Sequence, residues 1–116
     1  MLRIRPEQMS VFDEHMRRSF EARLVAHVAK RFRPECALAG EDATRARVRA
    51  GIERAVACGV TIEADVARYI ELMYQFGDGF DQSPWAAPIL QDPHTSSRPK
   101  TDALCARAQA VEPASS

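Results

Sequence analysis

The chain has 116 residues, is 46% apolar and 28% charged, and balances 16 Lys+Arg against 16 Asp+Glu. That length and composition describe one globular domain and exclude a fibrous or wholly disordered chain. Zero net charge excludes bulk electrostatic attraction as the main way of holding nucleic acid or an anionic membrane.

The opening residues, Met1-Leu2-Arg3-Ile4-Arg5-Pro6, lack the apolar stretch of a secretory signal. No run approaches the roughly 20 apolar residues of a membrane helix. A cytoplasmic protein is expected. The first helix should open at Pro6, since proline suits a first turn, and should stop near Phe32, ahead of Pro34. Its apolar residues are Met9, Phe12, Met16, Phe20, Leu24, Val28 and Phe32. Steps of four overshoot a 3.6-residue turn, so this stripe winds round the helix. Such a helix either kinks near residue 20 or meets different neighbours at its two ends.

A second helix is expected over 43–58, with Val48, Ile52, Ala55 and Val56 on one face and Gly51 admitting a close neighbour. Gly59 should stop it. Thr61 should cap a third helix over 62–76, with Glu63 and Asp65 in the first turn, where the helix dipole favours acids. Ile62, Val66, Tyr69, Ile70, Met73 and Phe76 form its apolar face. Gly77 should end it. Ser83 and Pro84 should open a short fourth helix that reaches Leu90.

From Pro93 onward the composition turns to Pro, Ser and Thr. The expected organisation is therefore a helical domain over 1–92 and a disordered tail over 93–116. The fold class is all-α: a small bundle of three main helices, a short fourth helix and a flexible tail.

Charge is uneven. Residues 1–59 hold 12 basic and 8 acidic residues, whereas 60–92 hold 1 basic and 6 acidic. The turn Ala55-x-x-x-Gly59-Val60-Thr61 has the look of a helix-turn-helix. However, the following helix carries Glu63 and Asp65 where phosphate contacts belong, which argues against nucleic acid. The loop Asp78-Gly79-Phe80-Asp81 lacks the alternating acids and the final glutamate of a calcium loop. His15, His27 and His94 have no metal spacing with one another. Cys36, Cys58 and Cys105 contain no C-x-x-C pair and read as free thiols. No phosphate loop, G-x-S-x-G or H-E-x-x-H is present. No cofactor, metal or catalytic residue is assigned, and the protein is expected not to be an enzyme.

Leu72 and Tyr74 fall off the apolar face of the third helix, on opposite sides, and so require a fourth-helix neighbour, a second subunit or another protein. Phe80, Trp85 and Ile89 concentrate aromatic and aliphatic side chains beside two prolines; Trp85 and Ile89 either close the bottom of the bundle core or anchor a partner. Arg45, Arg47 and Arg49 form a basic cluster able to orient an acidic partner. The candidate partner-binding residues are therefore Leu72, Tyr74, Phe80, Trp85 and Ile89 with Arg45, Arg47 and Arg49. The partner is expected to be another protein, and a homodimer is an alternative.

Several segments carry a family resemblance: Gln8-Met9-x-x-Phe12, Phe20-x-x-Arg23-x-x-x-His27, Phe32, Gly51-Ile52-x-x-Ala55 and Cys58-Gly59-Val60-Thr61-x-Glu63-x-Asp65-Val66. They continue through Tyr69-Ile70-x-Leu72-Met73 and Gly77-x-x-Phe80-Asp81 to Trp85-Ala86-x-x-Ile89-Leu90. This combination resembles a group of small uncharacterised bacterial helical proteins associated with type VI secretion effector loci. The resemblance implies an accessory adaptor or chaperone for a secreted effector, or an immunity protein that neutralises a toxin. It implies no residue-level role. A small DNA-binding regulator is the third expectation.

Overall fold

A computed structural model describes residues 14–111, with side chains from residue 16 onward. The expected helix start at Pro6, and Met9 and Phe12, lie outside the described residues. The protein is all-α. Its helices are α1 (Glu14–Arg31), α2 (Arg33–Ala39), α3 (Glu41–Ala57), α4 (Glu63–Phe76), α5 (Ala87–Leu90) and α6 (Ser97–Ala108), with a 3-10 turn at Phe80–Gln82. Helix α4 packs on α1, α3 and α6, while α2 folds back on α1 and α3.

Helix α1 buries Phe20, Leu24, Val25 and Val28, and Phe32 follows into the same core. It runs unbroken past residue 20 and stops before Pro34, as expected. The chain then restarts at once as α2, which sequence reasoning missed. Phe32 leaves helical geometry at φ −121°, ψ 57°, and Pro34 occupies the first turn of α2, where its missing N–H costs nothing.

Helices α3 and α4 bury the expected faces: Val48, Ile52 and Ala55 against Val66, Tyr69, Ile70 and Met73. Gly51 is what lets them meet. A Cβ there would lie 2.4 Å from Ile70 Cδ1 and 2.9 Å from Met73 Sδ. Gly77 takes φ +105° just past α4, a left-handed geometry that favours glycine as a helix stop.

Three expectations need correction. First, Thr61 does not cap α4. Ile62 holds that position with no side-chain cap of its own. The hydroxyl of Ser97, on α6, instead accepts from Thr61 N at 3.1 Å and Ile62 N at 3.3 Å. Second, the short fourth helix begins at Ala87 and not at Pro84. Ser83 spends its hydroxyl on Phe80 O at 2.6 Å, tying off the preceding 3-10 turn.

Third, residues 97–108 of the tail expected to be flexible from Pro93 form helix α6, packed on α4 and α5, so a fourth main helix joins the expected three; residues 112–116 of that tail lie outside the described residues. Ser97, Lys100, Thr101, Leu104 and Ala108 face inward. Four contacts explain why a largely polar segment docks. Ser97 Oγ donates to the fully buried Asp65 at 2.8 Å, and Arg98 Nε donates to the same carboxylate at 2.8 Å. Lys100 Nζ donates to Cys58 O at 2.7 Å and to Leu90 O at 3.0 Å. Cations suit helix C-termini and a carboxylate suits a helix N-terminus, so α6 closes one end of α4 and the far ends of α3 and α5.

Candidate protein-interaction groove

The exposed face of α1 opposite its core stripe carries Ala22, Ala26 and Ala29, at i, i+4 and i+7. Because α2 folds back beside α1, these alanines form one wall of a groove of about 490 Å³. Arg33, Cys36 and Ala37 of α2 and Glu41, Thr44 and Arg45 of α3 complete it, with Val25 in its floor. Cys36 is buried and its thiol donates to Val28 O at 3.4 Å, which fastens α2 to α1.

The polar groups of the groove are unequally satisfied. Arg45 donates to Glu41 at 3.3 Å, one turn away on α3. Arg33 is exposed and makes no ion pair among the described residues. Thr44 is only 3% exposed, and its Oγ1 has no hydrogen-bond partner. Such a buried, unsatisfied hydroxyl costs about 1–3 kcal/mol of desolvation. Leu38, one residue beyond Ala37, is 92% exposed. It is the exposed large hydrophobic among the described residues. The groove offers apolar contact and rim guanidinium groups, which is the composition of a docking surface.

The residues expected to bind a partner are placed differently. Leu72 and Tyr74 are buried inside the bundle and present no surplus surface. The Tyr74 ring stacks on Phe32 at 5.0 Å, and Arg47 covers its other approach at 4.0 Å. Burial pushes the Tyr74 phenol up to about 12, so it stays protonated at neutral pH. Leu72 is covered from the α6 side, where it adjoins Cys105 and Ala108. Phe80 is buried, packing on Tyr69 at 4.9 Å. Trp85 and Ile89 are half-buried against the core, with Trp85 edge-on to Phe76 at 5.2 Å.

The arginines of α3 are also engaged within the chain. Arg47 donates to Asp78 at 2.6 Å. Arg49 makes a two-pronged contact with Glu21 at 3.0 and 2.9 Å. Arg54 does the same with the buried Asp81, which also accepts the Tyr69 hydroxyl at 2.8 Å. That basic cluster is therefore neutralised residue by residue.

Sequence reasoning missed the groove residues Ala22, Ala26, Ala29, Arg33 and Thr44, and the exposed Leu38 beside them in the chain. A signal for part of it was present: a charge-free alanine stripe on the solvent side of α1, where lysine and glutamate are more usual. The other walls depend on how α2 folds back. Comparison of the chain with protein-family models, with curated proteins and with solved structures finds no match.

Proposed function

We propose that this is a non-enzymatic interaction protein that receives a segment of another protein in the groove among α1, α2 and α3. The supporting observation is the gathering of the exposed alanines Ala22, Ala26, Ala29 and Ala37 in one groove, with the fully solvated Leu38 next to Ala37 along α2. Exposed apolar surface of this kind is covered when a partner docks. Taken with the resemblance noted above, the partner is a bacterial secreted effector, with this protein its adaptor or chaperone. The immunity role differs only in that the partner is a toxin which the protein blocks.

The test is affinity capture from the host cell with the wild type, Ala26→Arg in the groove, and Arg107→Ala on the far helix as control. A stoichiometric protein partner held by the wild type and the control, and lost with Ala26→Arg, supports the reading. Retention by Ala26→Arg removes the groove as the contact surface. Deletion of the gene then separates the two roles: self-intoxication marks an immunity protein, and failed delivery of an otherwise harmless effector marks an adaptor.

A further inference from the structure

We infer that the occupant of the groove is an acidic amphipathic helix of a partner protein, laying small apolar side chains on Ala22, Ala26 and Ala29 and turning a carboxylate toward Arg33. This rests on the groove being the docking surface, as proposed above.

A helix fits because the wall it meets is itself a helix. Within α1 the backbone groups are already bonded to one another, so there is no edge for an extended segment to pair with. An extended occupant would bury its own N–H and C=O groups without partners, whereas a helix satisfies them internally. The three alanines span about 10 Å, or two turns. Short side chains there let a second helix axis approach closely.

An acidic side chain fits because of what stands unpaired. Lys30, Arg31 and Arg33 crowd the corner between α1 and α2. None of the three makes an ion pair among the described residues, although Arg31 rests on the Phe32 ring at 5.0 Å. The α3 arginines Arg45, Arg47, Arg49 and Arg54 each have a carboxylate of their own. At this corner the three cations outnumber Glu35, the one acid in the first turn of α2, and Arg33 is the one of them that lines the groove. A carboxylate answers this charge by pairing with the Arg33 guanidinium.

A second copy of this chain fits poorly. Two copies of α1 packed side by side and parallel across a two-fold axis bring Arg33 to face its own counterpart, which opposes like charges.

The probes are three fluorescein-labelled, lactam-bridged helical peptides of about 18 residues. They share one Ala/Leu stripe and differ in carrying Glu, Gln or Lys at its border. Binding to the full-length protein is read by fluorescence anisotropy. The Glu peptide is expected to bind about tenfold more tightly than the Gln peptide, with an affinity that falls as salt rises. The Lys peptide should bind most weakly. Arg33→Glu should reverse that order, and an acid at the start of α2 suits the helix dipole, so folding is retained. Ala26→Arg should abolish binding of all three.

Equal binding of the three peptides overturns the acidic occupant while leaving the groove as the docking surface. No binding by any of them, with Ala26→Arg still releasing the captured partner, overturns the helical occupant alone. Self-association by sedimentation that Ala26→Arg abolishes assigns the groove to a second copy and overturns the inference.

Discussion

Lys100 Nζ donates to the carbonyl of Cys58 at 2.7 Å, across 42 residues of chain. Lys100 is only 3% exposed and finds no carboxylate there; its second acceptor is another backbone carbonyl, Leu90 O at 3.0 Å. The ammonium thus closes the C-terminal ends of α3 and α5 together. A Cβ on Gly59 would stand 3.2 Å from it, so glycine also makes room for the contact. Burial of the Cys58 side chain raises its thiol above the usual range, which keeps it neutral beside the lysine.

Replacing this lysine tests whether α6 is integral to the fold. Lys100→Met keeps much of the buried stem and strands two carbonyls. We expect a loss of about 2 kcal/mol, since hydrogen bonds to charged groups contribute more than neutral ones. Urea denaturation gives the magnitude, and amide exchange should show α6 losing protection ahead of α3. Unchanged stability would mean that α6 is held by Leu104 and the Asp65 contacts alone.

Gly51→Ala pits local preference against packing. Alanine favours a helix interior by about 1 kcal/mol over glycine. Its methyl, however, would enter the space of Ile70 and Met73, both fully buried. Overpacking a tight core costs about 1–3 kcal/mol. A net destabilisation of about 1 kcal/mol is expected by thermal unfolding. A gain in stability would show that the two side chains can step aside.

The Glu21–Arg49 pair should make stability depend on acid. The Arg49 hydrogen bonds hold the Glu21 carboxyl below its ordinary value of 4.5, outweighing the opposing effect of burial. A carboxyl depressed in the folded state contributes stability above its unfolded value and loses it as pH falls through the folded one. Melting temperature should therefore drop more steeply below about pH 4.5 in the wild type than in Glu21→Gln. Because the Arg49 side chain is 59% exposed, added salt should shrink the difference. Parallel pH profiles would remove the pair from the acid response.

Trp85→Ala separates core from surface. Its ring lies against Phe76 at 5.2 Å and Phe80 at 6.0 Å. Full burial would make truncation cost about 3–5 kcal/mol, so a half-buried ring should cost about 2. Partner capture by the folded fraction should persist. If Trp85→Ala keeps the wild-type melting curve and loses the partner, the binding surface lies at Trp85 and not in the groove.

The parts of this protein legible from sequence alone are those where local chemistry and burial agree. Val48, Ile52 and Ala55 repeat at helical spacing, as do Val66, Ile70 and Met73, and glycines stand where those helices end. Such signals need no knowledge of neighbours. The placement of Leu72 and Tyr74 was not legible, because whether an off-face side chain is surplus depends on which helix comes to cover it. The inner face of α6 was hidden for the opposite reason. Ser97, Lys100 and Thr101 are polar, so no apolar period announces a buried helix, and their partners are Asp65 and the carbonyls of Cys58 and Leu90, far away along the chain. The groove, likewise, has half its signal in the alanines of α1 and half in the return of α2. Sequence determined an all-α chain, its principal helices and where they stop, because helix propensity, apolar spacing and glycine act locally. Tertiary structure alone decided that the last segment folds, which apolar residues stay outside and which arginine keeps no partner, because charge pairing and polar burial are set by contacts between residues distant in the chain.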